Sequence, residues 1–160
     1  MFERFKTDSR AVILDAMEEA RVRAEAKIEA EHLLLALARR SAWDAGRVLA
    51  EVGLDHEALR TALDGEVWRT LEAVGVGSGA VWISDSKLPM TGQPHWGESA
   101  KAALRRATVV AKERGDRHLA PTHILLGVLR AREGTVPRAL TAAGVDVAEL
   151  AARAEATLGG

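Results

Sequence analysis

The sequence predicts an all-α fold built from two copies of a four-helix unit. Sliding the chain along itself by 91 residues aligns residues 10–59 with residues 101–150 without a gap. Thirteen aligned pairs are then identical, whereas chance would give about three or four. In both copies the apolar residues recur at i, i+3/i+4 and i+7, the spacing of a helix with one buried face. The repeat and the spacing together give the fold class.

The first copy carries the signals of four helices in order. Capping residues precede predicted helices, and a glycine ends one of them in a left-handed conformation. The signals are Asp8 or Ser9 as a first cap, a break near residues 26–28, a second helix over about residues 29–40, Asp44 as a cap, Gly53 as a terminator, and Asp55 as the cap of a helix ending near Leu71.

The second copy carries the same helix-start and helix-end signals, which brings the number of predicted helices to eight. The equivalent signals are Ser99, Pro121, Thr135, Gly144 and Asp146. We therefore expect one domain over residues 1–160, with repeat one at about 1–71, a linker at about 72–97 and repeat two at about 98–158. The linker is rich in glycine and proline, and its Ala80–Ser84 stretch has β-forming residues that could form half of a short hairpin.

Composition excludes several classes of function. With 22 basic and 23 acidic residues, the chain has no net field that would attract nucleic acid or a membrane surface. It has no cysteine, which excludes disulfides, thiolate zinc sites and a cysteine nucleophile. The N-terminus is too charged for a signal peptide, and no apolar run approaches the roughly 20 residues of a membrane span. These features predict a cytoplasmic protein without a cofactor.

Two equivalent histidines are the main candidates for chemistry. His32 and His123 lie in the first turn of equivalent helices, beside the apolar runs LLL and ILL. A helix N-terminus disfavours a charged ring, so both are expected to be neutral core residues packed where the copies meet. No HExxH, HxH or GxSxG pattern occurs, so no catalytic residue is assigned. A metal-dependent enzyme using these two histidines is the remote alternative.

Large and basic side chains at the helix starts allow two interpretations. Phe2 precedes the first helix and Trp96 its equivalent in the second copy, while Arg10 and Lys101 occupy equivalent positions. Aromatics in such places often close the core as staples. They also make good anchors for a partner. The residues alone leave both readings open.

Five segments together resemble a known family. They are MFERF at the N-terminus, EEAR at residues 18–21, EHLLLAL from Glu31, VLAEVGLD from Val48 and THILLGVLRAREG from Thr122. This pattern resembles the N-terminal domain of Clp-family unfoldases, the double Clp repeat domain, most of all the ClpC type. The resemblance covers Met1 to about Leu63 and Trp96 to about Leu158. It implies a fold in which two four-helix repeats, related by a pseudo-twofold axis, pack into one domain.

The resemblance also implies a function. In full-length unfoldases this domain receives protein substrates and adaptors and is a target of cyclic peptide antibiotics, and it is not an enzyme. No Walker motif occurs here, so we expect no ATPase activity. We therefore expect a stand-alone adaptor, decoy or modulator of a Clp unfoldase–protease system. The alternatives are an accessory subunit docked on the Clp peptidase ring and a sponge for cyclic peptides.

Two sets of site residues follow from the resemblance. In the family, a glutamate before the repeat histidine binds the guanidinium of phosphoarginine. Glu31 keeps this residue and Thr122 replaces it in repeat two, so such a site is expected on one side only, with Thr7 as its phosphate contact. The partner groove of the family maps onto Phe2, Arg10, Ile13, Trp96, Lys101 and Arg105.

Overall fold

The computed structural model of the protein describes residues 6–75 and 92–159. Within those ranges it has eight helices, four in each copy, which confirms the predicted all-α class. The helices are α1 Thr7–Val22, α2 Ala30–Ala38, α3 Asp44–Glu51, α4 His56–Ala73, α5 Glu98–Arg114, α6 Pro121–Leu129, α7 Thr135–Ala142 and α8 Val147–Leu158.

The centre of the domain is formed by the equivalent helices α2 and α6, which contact each other and both contact α1 and α5. Almost every residue of these two short helices is buried, including their consecutive leucines and Ile124. This burial explains their uninterrupted apolar sequences, because a helix enclosed on all sides has no polar face. Gly127 lets α5 approach α6 closely, since a Cβ there would lie 2.2 Å from the carbonyl oxygen of Ala103.

Several predicted helix ends are confirmed. Asp55 accepts a hydrogen bond from the N–H of Ala58 at 2.8 Å, and Asp146 caps α8 in the same way. Gly53 and Gly144 both have a φ of 77°, as a helix terminator in the left-handed region requires.

Other predicted caps lie inside their helices. Asp44 and Thr135 are first helical residues, and α1 begins one residue before Asp8. Ser9 does not cap α1, because its hydroxyl turns inward and donates to the carbonyl oxygen of Leu119 at 2.6 Å. Ser99 is the second residue of α5 and contacts the other repeat instead.

A short parallel strand pair links the two repeats. Strand β1, Lys27–Ile28, lies at the predicted break after α1 and pairs with β2, His95–Trp96, just before α5. A backbone hydrogen bond of 3.2 Å from Lys6 to Leu119 makes the equivalent link before α1. The start of each repeat therefore lies against the other repeat. The predicted strand at Ala80–Ser84 falls outside the described residues.

Candidate functional site

Both repeat histidines cap their own helices. Nδ1 of His32 accepts the backbone N–H of Glu29 at 2.8 Å, and Nδ1 of His123 accepts that of Ala120 at 2.9 Å. The two histidine residues are 0% and 2% exposed. A ring nitrogen that accepts an N–H carries no hydrogen of its own, so these hydrogen bonds place the ring hydrogen of each histidine on Nε2. The structure thus gives both histidines a structural role.

The other ring nitrogen of each histidine faces a carboxylate at an equivalent position. Nε2 of His123 lies 2.9 Å from Asp116, and its hydrogen bond is the main reason that the pKa of Asp116 is lowered. Nε2 of His32 lies 3.3 Å from Glu25 in a geometry that departs from a hydrogen bond. Burial raises the pKa of Glu25, but interactions with His32 and Arg23 outweigh burial and lower it to about 2.

Two open grooves lie at the N-termini of α2 and α6. The α2 groove has a volume of about 520 Å³ and is bounded by the starts of α2 and α5 and by the segment that enters α7. The charged residues that line it are Lys27, Glu29, Glu31, Glu98, Arg106 and Glu133. The α6 groove, of about 390 Å³, includes Lys6, Asp8, Trp43, Arg117, His118 and Thr122. Because equivalent positions line both grooves, they are related by the sequence duplication.

Glu31 and Thr122 hold equivalent positions in the two grooves but differ in their chemistry. Glu31 lies in the first turn of α2, part-buried, and burial is the main reason that its pKa is raised. The neighbouring carboxylates of Glu25 and Glu29 add to that effect. Thr122 is buried and neutral at the equivalent place. The α2 groove therefore has a negative group where the α6 groove has a hydroxyl.

A second carboxylate of the α2 groove lies at the start of α5. Glu29 accepts hydrogen bonds from the backbone N–H and the hydroxyl of Ser99, at 3.1 Å for the N–H. The same hydroxyl accepts the N–H of Ala30 at 2.8 Å. The lack of a side chain at Gly97 makes room, because a Cβ there would lie 2.1 Å from the Glu29 carboxylate. The sequence suggested Ser99 as a helix cap, but nothing in its local pattern revealed this long-range partner.

Thr7 and Glu31 do not line the same groove. Thr7 begins α1, and its neighbours Lys6 and Asp8 line the α6 groove. Glu98, which holds the position equivalent to Thr7, lies in the α2 groove with Glu31. The cause is the crossed arrangement in which the start of each repeat packs against the other repeat.

The predicted partner-binding residues have different environments. Arg10 and Arg105 are exposed, whereas Ile13 is 8% exposed and belongs to the core. Trp96 is partly buried and packs against the core, and Lys101 is half-buried. Phe2 lies outside the described residues.

Within residues 6–75 and 92–159, no group of three or more histidine, aspartate or glutamate side chains is arranged to hold a metal ion. No helix in these ranges combines the length and the apolar character needed to cross a membrane.

The chain matches the family model of the Clp repeat (R) N-terminal domain over residues 4–85 and 96–160. The chloroplastic chaperone protein ClpC1 of Oryza sativa subsp. japonica is 31% identical over 146 residues, covering 91% of this chain and 14% of that protein. Chloroplastic ClpC of Pisum sativum is also 31% identical, with the same coverage. The chain thus spans about one-seventh of the length of these relatives.

Two solved structures share the fold. The N-terminal domain of the ClpD chaperone from Arabidopsis thaliana has a TM-score of 0.73 and 21% identity, covering 100% of this chain and 97% of that one. The Hsp104 N-terminal domain from Candida albicans has a TM-score of 0.65 and 20% identity, covering 95% and 89%. Both likenesses extend over both repeats and confirm the fold that the resemblance implied. The chain belongs to the Clp repeat (R) N-terminal domain family.

Proposed function

We propose that this chain is a non-enzymatic protein- and peptide-binding module that acts as an adaptor, decoy or modulator of a Clp unfoldase–protease system. Family membership supports a binding role, since its relatives are Clp chaperones by name. The capping role of the buried histidines leaves them no free Nδ1 for proton transfer or for a metal. The cytoplasm remains the location that the sequence predicts.

The observation that carries the proposal is the state of two arginines on the first helices of the repeats. Arg10 on α1 and Arg105 on α5 are exposed, and neither forms an ion pair within the described part of the chain. Most other arginines there have a carboxylate partner, for example Arg40 with Asp15 at 2.8 Å. An exposed guanidinium without a partner is well suited to bind a carboxylate of another protein.

The proposed binding surface combines these charges with apolar anchors. Phe2 and Trp96 would supply apolar contact, and Arg10, Lys101 and Arg105 would orient acidic groups at the rim. Lys101 contacts Glu98 at 2.9 Å, so a partner has to compete for its ammonium group. An acidic peptide with a large apolar residue is the expected ligand class.

Titration with a fluorescent peptide that carries phenylalanine between glutamates tests this proposal. The double variant Arg10→Glu with Arg105→Glu should weaken binding by about tenfold or more, because attraction becomes repulsion. Arg60→Glu is the matched control, since Arg60 is exposed on α4 and has no ion pair among the described residues. Equal affinity of the double variant and the wild type would refute this surface.

Removal of the aromatic anchors is a second test. Phe2→Ala combined with Trp96→Ala should abolish peptide capture. Because Trp96 packs against the core, the thermal unfolding of this variant has to be measured alongside its binding. A folded double variant that still captures the peptide with wild-type affinity would count against the anchors.

A further inference from the structure

A row of four side chains that reach solvent runs along the outer face of α1. The α1 row consists of Arg10, Leu14, Glu18 and Val22. Its members follow one another at intervals of four residues, the spacing that aligns side chains into a ridge on a helix surface. Leu14 is 64% exposed and Val22 is 69% exposed, so nothing in the described part of the chain covers their apolar surface.

A second row runs along α5, the equivalent helix of repeat two. The α5 row consists of Lys101, Arg105, Val109 and Glu113, again at intervals of four residues. Val109 is 50% exposed, Arg105 and Glu113 are exposed, and Lys101 is half-buried. The α5 row therefore also combines cationic, apolar and anionic groups, but in a different order from the α1 row.

The two rows match when they run in opposite directions. Two of the four resulting pairs join opposite charges, one joins two apolar groups, and one places a valine against the methylene stem of a lysine. The pairs are Arg10 with Glu113, Leu14 with Val109, Glu18 with Arg105, and Val22 with Lys101. Because the rows reach solvent, they do not cover each other within one chain, and this match is available to a second copy.

The other full-length alignments of the rows match less well. Both rows begin with a cation, so these cations meet in every parallel alignment. Two antiparallel α1 rows put Leu14 against Glu18, and two antiparallel α5 rows put Arg105 against Val109. Like charges in contact repel, and a charge pressed on an apolar group loses water without gaining a partner. The order of the side chains therefore favours the antiparallel contact between an α1 row and an α5 row.

The carboxylates of the two rows are open to a second partner. Glu18 contacts Arg21 at 2.6 Å and Glu113 contacts Arg130 at 3.2 Å, but the two glutamate side chains are 44% and 58% exposed. A carboxylate can accept about four hydrogen bonds, so each can also receive a guanidinium from another copy.

We propose that copies of this chain associate by packing the α1 row of one copy, antiparallel, against the α5 row of another. Ridges of side chains four residues apart interlock in the commonest class of helix–helix packing. The apolar surface is small, so we expect a weak contact with a Kd on the order of 100 µM. The proposal goes beyond the proposed peptide binding, but it also uses Arg10 and Arg105, so an acidic peptide should compete with the second copy.

Exchange of the charges in one pair tests the contact. Sedimentation equilibrium of the full chain from about 10 µM to about 1 mM brackets the expected Kd. Glu18→Arg and Arg105→Glu should each weaken association by about tenfold or more, because each brings like charges together. The double variant should associate about as well as the wild type. A wild type that stays monomeric up to the highest concentration, or a double variant no better than the single ones, would overturn the proposal.

The apolar centre of the contact shows which rows meet. Leu14→Glu and Val109→Lys should each associate about tenfold or more weakly than the wild type, because each puts a charge against an apolar partner. An equimolar mixture should regain association, since intact rows then meet and the two new charges are opposite. Glu72→Arg, on the exposed side of α4, is the charge-reversal control and should behave as the wild type. Wild-type association of either single variant would refute the contact. Melting curves by circular dichroism check that all variants are folded.

The acidic peptide separates this proposal from the proposed function. Glu18→Arg should lose self-association but keep its affinity for the peptide, because Glu18 is not part of the peptide-binding surface. If the wild type binds the peptide but remains monomeric, the self-association proposal alone is refuted. If copies associate through the rows but the peptide does not bind, the peptide-binding surface is refuted and the contact between copies stands.

Discussion

Glu29 and Ser99 join the N-termini of two helices from different repeats, although 70 residues separate them in sequence. The serine hydroxyl donates to the carboxylate of Glu29 and accepts the N–H of Ala30 at the start of α2, while the same carboxylate accepts the N–H of Ser99 at the start of α5. Helix starts have N–H groups without internal partners, which makes such a contact stabilising for both helices. The two repeats are therefore tied together by polar contacts as well as by their common core.

Ser99→Ala should lower the free energy of unfolding by about 1–2 kcal/mol, because the part-buried N–H of Ala30 loses its acceptor. Urea unfolding followed by circular dichroism measures the change. Thr108→Ala is the matched control, since among the described residues the hydroxyl of Thr108 bonds only to the carbonyl oxygen of Leu104 in its own helix. Equal losses in the two variants would show that Ser99 contributes no special link.

Gly127→Ala should destabilise the chain by about 1–3 kcal/mol, because a methyl group there overlaps the backbone of α5 at Ala103. Gly65→Ala on α4 should have the opposite sign. Its new methyl group meets only the end of Arg69, at 3.4 Å, and alanine favours a helix over glycine by about 0.5–1 kcal/mol. Urea unfolding of both variants tests the pair, and destabilisation of similar size in both would contradict the α5–α6 packing described.

Glu25→Gln should lower stability near neutral pH, and the deficit should shrink as the pH falls. The pKa of Glu25 is about 2 in the folded chain against an ordinary 4.5, so its charged form stabilises the fold above about pH 4.5 and loses this effect as the pH falls toward 2. The other carboxylates are common to both proteins and cancel in the difference.

Urea unfolding of wild type and Glu25→Gln at several pH values between about 7 and 3 measures this dependence. Glu72→Gln is the control, since Glu72 is exposed on α4 and its side chain has no partner among the described residues. A deficit that stays constant over this pH range would argue against the interaction of Glu25 with His32 and Arg23.

Local patterns in the sequence predicted the parts of the structure that local physics determines. The eight helices follow from apolar periodicity, and Asp55 and Gly53 mark helix ends because cap and left-handed geometries depend on a few adjacent atoms. The strand pair depends on contacts between repeats, which periodicity does not encode. The candidate site shows the same division. The family motifs identified Glu31 because they are local in the sequence. The structure was needed to show that the crossed packing of the repeats puts Glu98, and not Thr7, in the groove with Glu31.

Because His32 caps its own helix, replacing it should lower the stability of the chain, whereas removing metal from the wild type should not. His32→Ala should lower the free energy of unfolding by about 2 kcal/mol or more, because it opens a cavity and leaves the N–H of Glu29 without its acceptor. His32→Asn should lose less, since an amide oxygen can occupy the place of Nδ1. Urea unfolding ranks the three proteins, and metal analysis with EDTA treatment of the wild type provides the second readout. A melting temperature that falls on EDTA treatment, together with bound zinc, would contradict the capping role and revive the metal alternative.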